Sequence, residues 1–230
     1  MITRSRTLTR QAFNPTLITN LFTPDNIRER LRANRCDGCS LGQQEGYIGP
    51  VIYRGNPESR RMIIGEAPGL TEDQGGIPFV GPAGKKLDAI LASQDWTEND
   101  WYITNTIKCR PIAPPGSGKQ NLTPTVGQRK ACRPVIEQEI RWIEPYLVLL
   151  LGKSAVTSLL PKEAVNMSMQ ELAGRTIANR RYPNIAFYVM YHPAYLIHTQ
   201  KDPEKNQEVR AKMWEDIQKL KVLDEELRSI

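Results

Sequence analysis

A three-layer α/β/α sandwich around a central four-stranded parallel sheet is the fold that this chain predicts. Four short apolar runs are spaced along it, helical patterns fill the intervals, and 230 residues suit one sizeable α/β domain better than two. Strand alternating with helix implies parallel strands joined by right-handed crossovers.

The first run is Met62–Gly65, and a helical pattern over Gly84–Ser93 follows it. The second is Trp101–Asn105, followed by a helix over Thr125–Ile143 with Thr123-Pro124 as its start signal. Between them Ile112–Pro124, rich in Pro, Gly and Ser, reads as an exposed loop. The third run, Tyr146–Gly152, precedes a helix over Ser154–Leu160. The fourth, Ala186–Tyr191, precedes Glu204–Leu227, which is charged on one face. The runs are brief and several are rich in Ile, Val or Tyr, as strands buried on both faces are. Arg4, Arg6 and Arg10 lie in an acid-free stretch, so residues 1–20 read as a disordered tail ahead of a single domain over 21–230.

Cysteine usage adds a site. Cys36 and Cys39 form a Cys-x-x-Cys pair, Cys109 follows the second run, Cys132 lies in the next helical pattern, and these are all 4 cysteines of the chain. A set with none left over suggests one four-thiolate site, for zinc or for an iron–sulfur cluster. No apolar run reaches transmembrane length and residues 1–20 lack a signal-peptide core, so an intracellular, cytoplasmic protein without membrane contact is expected. A reducing compartment favours a metal site over disulfides. The net charge of +6 is compatible with a polyanionic partner such as nucleic acid.

Ligands of open parallel sheets bind outside the carboxyl ends of the strands. The first run ends in Gly65-Glu66-Ala67-Pro68-Gly69, the second in Asn105, the third in Gly152-Lys153-Ser154 and the fourth in His192-Pro193-Ala194-Tyr195-Leu196. A carboxylate, an amide and an imidazole thus converge on one rim, which points to an active site.

These segments, with Glu72-Asp73 and Gly76-Ile77-Pro78-Phe79-Val80-Gly81-Pro82-Ala83-Gly84, resemble the family 4 uracil-DNA glycosylases. Thr104-Asn105 through Lys108-Cys109-Arg110-Pro111 is similar to that family's second block, and Leu150-Leu151-Gly152-Lys153-Ser154-Ala155 and His192 to Leu196 are similar to its later blocks. The resemblance implies removal of uracil from single- or double-stranded DNA by a monomer, and a structural [4Fe-4S] cluster on Cys36, Cys39, Cys109 and Cys132, with zinc as the less favoured metal. It implies that Phe79 stacks on a base flipped out of the helix, that Asn105 reads its edge and that Ala67 lines its site. Leu196 is implied as the wedge left in the duplex, and His192 as the donor to the departing base. Glu66 and Glu72 match acidic positions near sugar and base; either can orient the water, and Glu72 is the candidate for excluding the thymine methyl. A related subgroup carries a longer basic loop with a histidine that traps the sugar covalently. The loop of this chain has no histidine, so ordinary turnover is expected. Two other readings stand beside the uracil glycosylase: a non-catalytic iron–sulfur DNA-binding module of the same fold, and a glycosylase with an altered range of damaged bases.

Overall fold

The computed structural model describes residues 39–164 and 166–229. Its strands are β1 (Tyr53–Gly55), β2 (Arg61–Gly65), β3 (Tyr102–Asn105), β4 (Leu147–Leu151), β5 (Thr176–Asn179) and β6 (Tyr182–Met190). They form one sheet in the order β1-β3-β2-β4-β6-β5. The four expected strands are its contiguous middle, and each pairs with its neighbour in parallel. The expectation of four strands, all parallel, is corrected at both edges: β1 pairs with β3, and β5 with β6, antiparallel. The sheet is therefore mixed and six-stranded. Both added strands are only partly buried, β5 alternating exposed and half-buried positions, so neither carries the apolar run that marks an inner strand. The expected tail lies outside the described residues, as does Cys36.

The helices are α1 (Leu70–Gly75), α2 (Pro82–Ala92), α3 (Val126–Ile143), α4 (Gly152–Leu159), α5 (Pro161–Ala164), α6 (Met169–Leu172), α7 (Ala194–His198) and α8 (Pro203–Arg228). Side chains of a strand alternate between its faces, and the buried residues separate accordingly. Ile63, Ile103, Leu149 and Tyr188 face α2, α7 and α8, through Leu87, Leu196, Met213 and Ile217 among others. Met62, Ile64, Val148, Leu150 and Phe187 face α3 to α6, through Ile136, Ile140, Val156 and Leu172. Helices thus cover both faces of the sheet, which is why its inner strands read as unbroken apolar runs.

Local chemistry starts the longer helices. The Thr125 hydroxyl accepts from the Gln128 amide N–H, and the Gln128 side chain accepts from the Thr125 N–H, closing a capping box on α3. Asp202 caps α8 through the Lys205 N–H, with Pro203 in the first turn where its missing N–H costs nothing. Among the described residues no helix is long and apolar enough to cross a membrane.

At the amino ends of the inner strands, α8 is pinned to the sheet. Asp224, 1% exposed, accepts from Arg61 at 2.9 Å, from the Tyr146 hydroxyl at 2.6 Å and from Arg228 at 2.8 Å. Arg61 also reaches Asp100 at 3.1 Å and lies over the Trp101 ring. Asp224→Ala leaves Arg61 buried without its main partner, so it should destabilise the fold by about 3–5 kcal/mol in denaturant unfolding. A loss within about 1 kcal/mol would show an exposed, weak pair instead.

Candidate active site

The parallel register brings the strand ends level. Gly65 stands opposite Asn105, Ile64 opposite Leu150, and Leu151 opposite Met190. Beyond those ends lies a cavity of about 930 Å³. Glu66, Ala67, Glu72, Phe79, Asn105 and His192 all line it.

Gly65 sets a close approach between two side chains of the site. A Cβ built on it would fall 2.5 Å from Asn105 Oδ1 and 2.5 Å from Phe79 Cζ, so only a residue without a side chain lets the amide and the ring meet there. Phe79 adopts φ 56°, uncommon for a bulky residue, and its ring stacks near His192 with centroids 5.8 Å apart. The first turn of α2 presses on the Phe79 backbone: a Cβ on Gly84 would lie 1.8 Å from the Phe79 carbonyl oxygen. Asn105 is 2% exposed, and its side-chain amide makes no hydrogen bond among the described residues. A buried amide is ordinarily paired, so one left open at a cavity is suited to a ligand.

His192 has a defined tautomer. Its Nδ1 accepts from the Ala194 N–H at 3.2 Å, which leaves the ring proton on Nε2. Burial, with a smaller contribution from His198, lowers its pKa from 6.5 to about 4. The imidazole is therefore a neutral donor at physiological pH.

The two carboxylates differ. Glu72 is 9% exposed and both its oxygens are engaged by backbone, one by the Gly69 N–H at 3.2 Å and one by the Gly81 N–H at 2.7 Å. It ties the start of α1 to the start of α2. Glu66 holds one oxygen against the Ser154 hydroxyl at 2.7 Å, and its other oxygen has no partner among the described residues. Ser154 sits in the first turn of α4, a contact that no local pattern could disclose across 88 positions.

Leu196, expected as the wedge, is buried in this structure. It is 9% exposed, packs into the core beside α2 and α8, and does not line the cavity. The single turn of α7 points it inward and leaves Ile197 and His198 on the cavity side. The Ile112–Pro124 loop, expected only to be exposed, also reaches the site. An Ile112–Asn121 bridge closes it, Arg110 holds Asn121 Oδ1 at 2.7 Å and the Gln120 carbonyl at 2.8 Å, and Gln120, Asn121 and Leu122 join the lining.

Cys39, Cys109 and Cys132 come together from distant positions in a small apolar cluster with Leu41 and Ile107. Ala67 packs against that cluster and lines the cavity as well, so the two sites share a wall. The Lys108 backbone N–H donates to Cys132 Sγ at 3.3 Å, a contact suited to a thiolate. Among the described residues no group of three or more His, Cys, Asp or Glu is arranged to hold a metal ion.

Residues 52–218 match the family model of the Uracil DNA glycosylase superfamily. The chain is 30% identical over 207 residues to the Type-4 uracil-DNA glycosylase of Thermotoga maritima, covering 87% of this chain and 96% of that protein. It is 31% identical over 202 residues to the Type-4 uracil-DNA glycosylase of Saccharolobus solfataricus, covering 86% and 84%. With that of Archaeoglobus fulgidus it shares 31% over 178 residues, covering 76% and 82%. A match over most of its length, with the motif residues gathered at one cavity, makes this chain a member of the uracil-DNA glycosylase superfamily and of its Type-4 group.

Proposed function

We propose that this protein excises uracil from DNA as a monofunctional glycosylase acting in base excision repair. The observation that carries the reading is the meeting, in one cavity, of a neutral histidine, an unpaired buried amide, an aromatic ring and a half-committed carboxylate. The glycosidic bond is out of reach inside a duplex, so the nucleotide is flipped into the cavity first. Phe79 stacks on the base. Asn105 accepts from uracil N3–H through Oδ1 and donates to O4 through Nδ2; cytosine presents the opposite pattern and is refused. The space left in the duplex suits an apolar side chain, and the burial of Leu196 favours its neighbour Ile197 for that part.

Cleavage of the C1′–N1 bond leaves its electron pair on the base. Negative charge gathers at O2, where the Nε2–H of His192 is the fitting donor, and a neutral donor does not give up its proton to a weakly basic anion. The sugar becomes oxocarbenium-like, and water adds at C1′. The free oxygen of Glu66 suits the orientation of that water and the acceptance of its proton. Glu72, with both oxygens bound to backbone, suits shaping the pocket against the thymine methyl.

Cys39, Cys109 and Cys132, together with Cys36, are assigned to hold a [4Fe-4S] cluster, the sharing of one apolar cluster by the first three being the support. Such a group would brace the loop after Asn105. Zinc on the same thiolates is the competing occupant.

A single-stranded oligonucleotide containing uracil, incubated with the protein and then treated with alkali, should break at the uracil. No break above a control without protein rejects the glycosylase reading. Glu66→Gln should slow excision by about 10²–10⁴-fold, whereas Glu72→Gln should mainly lower thermal stability. The reverse result would exchange their roles.

The pH dependence follows from His192. Burial disfavours the charged ring, so the unfolded chain takes up its proton near pH 6.5 and the folded protein only near pH 4. Stability from this group is therefore full above pH 6.5 and is lost as the pH falls towards 4. Single-turnover rates should show no inflection at pH 6.5 that His192→Asn abolishes. The same substitution should cost about 10²–10³-fold in rate.

Purified protein should absorb near about 400 nm, and Cys132→Ser should abolish the band. A colourless protein holding one equivalent of zinc would assign the thiolates to zinc.

A further inference from the structure

We propose that the buried ion pair of Lys108 and Glu139 is a positioning device for Asn105. The inference rests on the reading of Asn105 as the residue that recognises the base. Lys108 is 1% exposed and Glu139 0% exposed. The Lys108 ammonium has three protons, and all are placed: on Thr104 Oγ1 at 2.6 Å, on the Asn105 carbonyl oxygen at 2.7 Å and on Glu139 Oε2. Glu139 Oε1 accepts in turn from the Tyr102 hydroxyl at 2.9 Å and lies 3.4 Å from the Thr104 hydroxyl. The Thr104 hydroxyl also donates to the Ile52 carbonyl at 2.6 Å, which carries the network towards β1.

Burying two charges is expensive, and an apolar pair of similar volume would hold β3 to α3 at least as well. What an apolar pair cannot do is fix the direction of a carbonyl. The Asn105 backbone oxygen is held by a side chain three residues ahead, so the turn from Asn105 to Lys108 is closed on itself. That closure fixes the peptide plane from which the Asn105 amide projects, an amide that nothing else in the described protein holds. Lys108 is in turn gripped by α3 at two points. Its backbone N–H meets Cys132, and its ammonium meets Glu139, seven residues or about two helical turns further along the same helix. The base reader, the cysteine cluster and α3 are thereby joined through one residue. Its place inside Thr104-Asn105-Thr106-Ile107-Lys108-Cys109 is the only trace in the sequence: a lysine in a segment otherwise buried.

The test compares Lys108→Met, Glu139→Gln and the double variant. Each single change leaves a buried charge or its acceptor unmatched and should lower the melting temperature. The double variant leaves no charge unpaired and should recover most of that loss. If the pair positions Asn105, the double variant should still be slow, by about 10²-fold in kcat, with KM rising no further than the lost preference for uracil accounts for. A double variant that regains kcat together with stability overturns the proposal, since it assigns the pair to stability alone. A second measurement avoids the chemistry: binding of strands carrying the non-cleavable 2′-fluoro analogues of deoxyuridine or deoxycytidine. The wild-type protein should prefer the uracil strand and the double variant should bind the two alike. An unchanged preference in the variant, or none in the wild type, overturns the proposal. Because binding is read without bond cleavage, a wild-type protein that prefers uracil but excises nothing would reject the activity and leave the positioning device standing.

Discussion

The approach of Asn105 to Gly65 is the constraint on which the rest of the site depends. The two residues stand opposite each other at the ends of β3 and β2, and the missing side chain of Gly65 makes room for both the Asn105 amide and the Phe79 ring. The pairing continues past the strands. The Thr106 N–H donates to the Gly65 carbonyl, and the Ile107 N–H to that of Glu66. A carboxylate-bearing loop and an amide-bearing loop are thus zipped together, so Glu66 and Asn105 keep a common frame. Positioning of this kind is where enzymes of this chemistry gain much of their rate, because small displacements of a reacting group are costly.

Charge is distributed unevenly around that frame. Around the cavity, carboxylate and imidazole are set so that each retains one open atom: Glu66 uses one oxygen on Ser154, and His192 uses Nδ1 on Ala194. Behind it, on the face covered by α3, charge is fully matched in the Lys108–Glu139 network. At the opposite, amino ends of the strands, Arg61 and Asp224 do purely architectural service in holding α8. The same residue types therefore stabilise at one end and leave capacity for chemistry at the other, and the difference is whether the partners are complete.

Much of this was legible in the residues. The inner strands, the long α3 and α8 and the gathering of Glu66, Asn105 and His192 on one rim all follow from apolar runs and from what stands at their carboxyl ends. The edge strands were not legible, because β1 and β5 are short and half exposed, and their pairing comes from neighbours they meet only in the folded sheet. The burial of Leu196 was hidden for a related reason. Its motif suggests a projecting side chain, but a single helical turn docked on α2 and α8 directs it into the core.

By itself, the sequence determined the order of the four inner strands and the longer helices between them, the candidate groups at the strand ends and the set of cysteines, because periodicity and residue chemistry are local properties. Tertiary structure alone decided which atoms of those groups stay free. Glu66 and Glu72 look alike along the chain. Glu72 becomes a backbone anchor because the nearby loop folds the Gly69 and Gly81 N–H groups onto it, whereas Glu66 meets only the distant Ser154 and keeps an oxygen open. Hydrogen-bond capacity is consumed by whichever partners folding brings within reach, and for Glu66 that partner lies 88 positions away, so no local stretch of sequence contains them both.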